Sequence, residues 1–120
     1  MARTVMIVDD ALFMRNILRG IVTEKGYIVV AEAASGIEAM KNLHSHHPDI
    51  ILLDIILPDS NGLDLLQSIN ASHPRSKVVV CSAIGQEQVM QKALDLGAKA
   101  FIQKPFKPEK VIDVLESLET

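Results

Sequence analysis

Cysteine, aromatic residues and basic charge are all scarce in this 120-residue chain. A single cysteine, Cys81, excludes an intrachain disulfide framework and any zinc or iron–sulfur site built from several thiolates. There is no tryptophan and only one tyrosine, which leaves little to stack a flavin. The formal net charge of -3 speaks against a nucleic-acid-binding stripe. Met1-Ala2-Arg3-Thr4 leads into an apolar run that is too short for a signal-peptide core or a membrane span, so a cytoplasmic protein without membrane attachment is expected. Repeats, low-complexity tracts and linkers are missing, so residues 1–120 are expected to form one domain with no output domain. The rest of the composition, 48% hydrophobic and 22% charged, is that of a chain able to bury a core.

Apolar runs alternate five times with segments of helical period. Val5–Val8 is a strand, and Met14, Ile17, Leu18 and Ile21 follow at i, i+3, i+4, i+7. Gly26 closes that helix. Ile28–Ala34 is the next strand. Ser35 followed by Glu38 reads as a capping box for a helix bearing Met40 and Leu43. Ile50–Leu53 precedes a turn with Pro58 and Asn61-Gly62. Leu66 and Ile69 mark a helix that stops before His73-Pro74. Val78–Cys81, a helix with Val89, Ala93 and Leu96 ended by Gly97, and the short strand Phe101-Ile102 come next. Pro108 opens a last helix with Val111, Val114, Leu115 and Leu118.

This alternation predicts an α/β fold, a doubly wound five-stranded parallel sheet with helices on both faces. The first, third and fourth strands are almost wholly apolar, as interior strands must be. The second carries Glu32 and the fifth ends in Gln103, so these two are the edges. Order 2-1-3-4-5 satisfies both conditions. It places a topological switch point between the first and third strands, where ligands bind outside the carboxyl ends.

Those carboxyl ends are polar. The first strand runs into Asp9-Asp10, the third into Asp54, the fourth into Ser82 and the fifth into Lys104-Pro105. Three carboxylates brought together repel one another unless a cation intervenes. An all-oxygen set beside a phosphate suits Mg2+, and Lys104 supplies a second positive charge. A carboxylate can attack phosphorus, and phosphoryl transfer asks chiefly for positioning and charge neutralisation. Asp54, central among these groups, is the candidate nucleophile. Lys104, the Ser82 hydroxyl and the Ala83 backbone N–H are the neutralising groups.

Val8-Asp9-Asp10, Asp54 with Pro58 and Asn61-Gly62, Cys81-Ser82-Ala83, and Phe101 through Phe106 occur in order at successive strand ends. On these motifs the sequence resembles the response-regulator receiver domains, most closely the stand-alone chemotaxis regulators of the CheY type. That type is itself a reference case for the 2-1-3-4-5 order, so the two readings are not independent. The resemblance implies that Asp54 accepts a phosphoryl group from a phosphohistidine on a sensor histidine kinase. It implies that Asp10 ligates Mg2+ directly, Asp9 mostly through water, and that Asp54 and the Ile56 carbonyl complete the protein ligands. Lys104 contacts the phosphoryl group, Ser82 moves to bond it, Phe101 rotates inward in response, and the Lys104–Pro105 bond is cis. The implied partners are a chemotaxis-type kinase and the flagellar motor switch protein, with the receiver a monomer. A phosphorelay intermediate serving a histidine phosphotransfer protein, or a receiver cut from a larger regulator, are the alternatives.

Two positions depart from common receiver patterns. Ile56 and Ile84 each stand two residues beyond a reactive group; the resemblance implies that these positions flank the entry of hydrolytic water, where apolar branched side chains cannot orient it. A long-lived aspartyl phosphate is therefore expected. Phe101 stands where tyrosine is also used, so switching relies on ring packing. Ala11, Leu12 and Arg15 are read as exposed kinase-docking contacts.

Each site residue has a plainer reading. Asp9-Asp10 as a solvated helix start, Asp54 as a turn cap, Ser82 as a strand-end hydroxyl and Lys104-Pro105 as a loop would all have to hold together. His44, His46 and His47 are read as groups facing the negative end of a helix dipole rather than as metal ligands. Cys81 reads as a core thiol, and Met6, Met14, Met40 and Met90 as packing residues. Lys92, Lys99, Lys107 and Lys110 read as surface charge, some of it on a partner face of the fourth helix, fifth strand and fifth helix. A flavodoxin-like carrier lacks its phosphate-cradling loop here, because two aspartates occupy that place. An aspartyl-phosphate phosphatase lacks its general acid, because Ile56 stands there. A receiver-like module that never accepts phosphate would lack one of the groups, and all are present.

Overall fold

A computed structural model describes residues 3–118. The strands are β1 (Thr4–Val8), β2 (Ile28–Ala33), β3 (Ile50–Leu53), β4 (Lys77–Ser82) and β5 (Ala100–Gln103). The helices are α1 (Leu12–Glu24), α2 (Gly36–Ser45), α3 (Gly62–Ser72), α4 (Glu87–Asp95) and α5 (Pro108–Ser117). All strand pairs are parallel and the order is β2-β1-β3-β4-β5, as the apolar patterning predicts.

The period-2 alternation of each interior strand feeds two separate cores. Met6, Val8, Ile51, Leu53, Val78 and Val80 point to one face, where Ala39, Leu43, Leu65, Leu66, Ile69 and Ala93 of α2, α3 and α4 cover them. Val5, Ile7, Ile50, Leu52, Val79, Cys81 and Ile102 point to the other, against Leu18 and Val22 of α1 and Val111 and Leu115 of α5. Because both faces are covered, β1, β3 and β4 have no polar face to offer. The edge strands differ: β2 is only partly buried, with Ile28 at its exposed start.

Local chemistry explains the element ends. Gly26 and Gly97 adopt φ of 91° and 110°, a left-handed turn that ends α1 and α4 without a side-chain clash. Ser35 caps α2 by accepting from the Glu38 amide at 3.2 Å. Asn61, read from the sequence as part of a turn, instead caps α3: its Oδ1 accepts from the Leu63 amide at 3.0 Å. Pro108 occupies the first turn of α5. At the opposite end of the sheet, Asp49 accepts from the amide and the hydroxyl of Thr4 (2.9 and 3.1 Å), tying the start of β3 to β1.

Candidate functional site

The carboxyl ends of β1 and β3 lie side by side, and the ladder continues one step past them. The Asp54 amide donates to the Val8 carbonyl at 2.9 Å, and the Asp9 amide to the Ala33 carbonyl at 3.0 Å. Asp9 and Asp54 are thereby fixed at the top of the sheet and are buried, whereas Asp10 is exposed. One carboxylate oxygen from each of the three lies within 4.8 Å of the others, so Asp9, Asp10 and Asp54 form a group able to hold a cation.

Lys104 reaches this group from the end of β5. Its ammonium donates to Asp9 Oδ2 at 2.6 Å and to Asp54 Oδ2 at 2.9 Å. Burial works to lower the Lys104 pKa. The hydrogen bonds to the two carboxylates outweigh it, so the pKa stands above the usual lysine value and the group stays charged. The free oxygens are also placed: Asp9 Oδ1 accepts from the Ala11 amide and Asp54 Oδ1 from the Ile56 amide, both at 2.9 Å. The Lys104–Pro105 bond is cis, and the Lys104 amide donates to the Ser82 carbonyl at 2.8 Å, holding the β5 end against β4.

Ser82 is fully buried at the end of β4, and its hydroxyl accepts a long 3.5 Å contact from the Ile84 amide. No hydrogen bond joins the Ser82 hydroxyl to Asp54 or Lys104 among the described residues. Ala83 is exposed beside it, and Phe101 is half-buried against the α2–α3–α4 core. Ile56 stands 51% exposed on the rim, while Ile84 is half-buried and packs on that same core. Cys81 is buried beneath the rim. Desolvation, opposed by Lys104 and assisted by Asp54 and Asp9, pushes its thiol up to about 12, so it is a neutral core group.

Arg15 does not stand where the sequence reading put it. Its guanidinium is turned back into the molecule, with Nε on Glu32 at 3.1 Å and an NH group on the Asp9 carbonyl at 2.6 Å. It braces the β1 end against the edge strand, with Arg19 on the same Glu32, and is no free docking contact. The exposed apolar groups at this rim are Leu12 and Phe13 at the start of α1, Ile37 at the start of α2, and Ile56. Of these, Phe13 and Ile37 give no signal in the sequence, since each is an apolar residue in a helix start that carries other apolar residues.

Asp59 is a further residue that sequence reasoning missed. It belongs to the loop after β3, and its carboxylate accepts from the Gly36 and Ile37 amides at 2.9 and 3.0 Å. Those backbone bonds at the N-terminus of α2 hold its carboxyl below the usual aspartate value. A Cβ on Gly36 would meet Ser60, and one on Gly62 would meet the Ile55 backbone, so the loop is pressed closely on its surroundings.

The family model described as "Response regulator receiver domain" matches residues 5–116. The chain belongs to the response-regulator receiver family. This receiver is 43% identical to the chemotaxis protein CheY of Thermotoga maritima over 118 residues, which is 98% of each chain. It is 46% identical to the chemotaxis protein CheY of Listeria monocytogenes over 92% of this chain and 93% of that one. A crystal structure of a CheX–CheY complex with beryllofluoride and magnesium from Borrelia burgdorferi contains a chain that superposes with a TM-score of 0.95. That chain is 35% identical, and the match covers 98% of this receiver and 90% of it. The receiver is thus homologous over nearly its full length to chemotaxis response regulators, in keeping with phosphorelay signalling in chemotaxis. Among the described residues no helix is long and apolar enough to cross a membrane.

Proposed function

We propose that the receiver takes a phosphoryl group from a phosphohistidine of a sensor kinase onto Asp54, and that the modified form binds a chemotaxis partner. The observation that carries this reading is the Lys104 ammonium bridging Asp9 and Asp54 inside a group of three carboxylates. In the transfer, an Asp54 carboxylate oxygen attacks phosphorus as the phosphorus–nitrogen bond of the donor breaks, and the electron pair leaves on the imidazole. The Ile56 amide holds Asp54 Oδ1 and so fixes the carboxylate plane. Lys104, already charged and aimed at Asp54, neutralises a phosphoryl oxygen, and the Ala83 N–H and the Ser82 hydroxyl offer two more donors.

The donor set fits Mg2+: it is all oxygen, and one lysine leaves the three carboxylates under-neutralised. Asp10, Asp54 and the Ile56 carbonyl would hold the ion. Asp9 would act mostly through water, as membership of the receiver family implies. When bound, the ion supplies charge neutralisation and orientation for the incoming phosphoryl group. Magnesium and beryllofluoride in the Borrelia complex support the same assignment here.

Output follows from Ser82 closing on the phosphoryl group and Phe101 filling the space behind it, a population shift at the β4–β5 edge. A motor-switch protein is the proposed partner, and the chemotaxis relatives that the chain spans almost end to end support it. A capture experiment with phosphorylated receiver and with Asp54→Asn tests this. A motor-switch protein held by the phosphorylated form alone is expected. Capture of a histidine phosphotransfer protein in its place would contradict it and favour a relay intermediate.

A further inference from the structure

We propose that His73, with His44 and His47, forms a second metal site at the end of the sheet opposite the carboxylates. It would take an imidazole-seeking divalent ion of the Zn2+, Ni2+ or Cu2+ class. The helix-dipole reading accounts for His46, whose Nδ1 lies 3.1 Å from the Asn42 carbonyl and must donate to it, because a carbonyl only accepts. It does not account for the others. His44 and His47 are exposed and make no hydrogen bond or ion pair among the described residues. Both rings face His73, which comes from a different element, the end of α3. Centroid separations are 6.1 Å for His44 and 6.5 Å for His47.

The tautomer of His73 is fixed by its neighbour. The Ser72 hydroxyl donates to the Ser68 carbonyl at 2.8 Å, which uses its only proton. The same oxygen lies 2.9 Å from His73 Nδ1 and must therefore accept from it. In the neutral ring Nδ1 carries the hydrogen, and Nε2 is the nitrogen left to ligate. An outer hydrogen bond that sets the ligating nitrogen is the usual support of a metal-bound histidine.

The anchor is rigid and its companions are free to move. The His73 amide donates to the Ile69 carbonyl at 2.7 Å, and the His73 carbonyl accepts from Ser76 at 3.1 Å. The Ser76 hydroxyl donates to the Pro48 carbonyl at 2.6 Å, tying this loop to the one that carries His47. At a zinc–nitrogen distance of about 2.0–2.1 Å, two rings on one ion stand roughly 5–6.5 Å apart between centroids. The site therefore requires the two exposed rings to rotate towards His73 as the ion binds. The three are not preformed: among the described residues only the acidic group already has three ligand atoms together. Asp49, in the adjoining hollow of about 420 Å³, is engaged by Thr4 and does not compete. An all-imidazole set prefers a softer ion than the oxygen set at the other end, so the two sites separate by chemistry.

Titration of the full chain with Ni2+ in excess Mg2+, followed by calorimetry and by the thermal midpoint, tests the site. The native chain is expected to bind one Ni2+ that His73→Gln loses, with affinity lower by an order of magnitude or more. The exposed double variant His44→Gln/His47→Gln should lose it too, and His46→Gln should keep it. The midpoint should rise with Ni2+ in the native chain and in His46→Gln only. Equal Ni2+ binding by the native chain, His73→Gln and the double variant, or no Ni2+ binding beyond the acidic group, would overturn the proposal.

Discussion

Lys104 is the residue on which the local electrostatics turn. Its charge is what lets Asp9 and Asp54 be buried within reach of each other. Lys104→Ala should therefore slow labelling of Asp54 by a small phosphoryl donor by orders of magnitude while the far-ultraviolet dichroism stays native. The pKa of Lys104 and that of Cys81 are both raised by the fold. A raised value stabilises below the unfolded pKa and is lost as pH climbs through the folded one. The urea midpoint should accordingly fall from about pH 9, the ordinary thiol value, towards about 12, where the Cys81 thiol titrates in the fold. Cys81→Ala should flatten that fall, whatever it does to the midpoint at neutral pH. Ile56 gives a kinetic prediction. It is exposed at the rim and cannot hold a water, so Ile56→Asn should shorten the aspartyl-phosphate lifetime several-fold, as followed by loss of the phosphorylated mass. An unchanged lifetime would remove Ile56 from the account. The carboxylates were legible in the sequence because Asp9 and Asp54 directly follow apolar strands and Asp10 follows Asp9. The inward turn of Arg15 was not, because Glu32 and the Asp9 carbonyl reach it only through tertiary structure.

At the scale of elements, the loop after β3 and the start of α2 act as one piece. Asp59 from the loop and Ser35, the residue just before the helix, share the free amides of the α2 N-terminus. Asp59→Ala should lower the urea midpoint, as lost helix caps do. Since the Asp59 pKa is lowered, its contribution is present above pH 3.8 and disappears as pH falls below it, so the native chain and Asp59→Ala should converge in strong acid. Gly20 makes the opposite case. It lies inside α1, and a Cβ there would meet nothing within 4 Å. Gly20→Ala should stabilise the chain by about 0.5–1 kcal/mol through helix propensity alone. Caps set by neighbours in sequence, such as Ser35, were readable from spacing. Asn61 was ambiguous because Asn-Gly reads equally as a turn, and Asp59 was hidden because it caps a helix 23 residues away.

For the molecule as a whole, two cores fasten five helices to one sheet, and the functional groups gather where the strands stop. Strand order was legible because β1, β3 and β4 are apolar except at their ends, at Thr4, Lys77 and Ser82, whereas Glu32 stands inside β2 and Gln103 ends the short β5. The histidine cluster was not, because His73 is separated in sequence from His44 and His47 and meets them only when α2 and α3 lie side by side. The central claim, that Asp54 is the group esterified and that a divalent cation is required, is tested most directly by the intact mass of the chain after acetyl phosphate treatment. With Mg2+ the native chain should gain one phosphoryl group, and Asp54→Asn, or the native chain with a chelator, should gain none. An unmodified native mass with Mg2+ present, or equal modification of Asp54→Asn, would contradict the account.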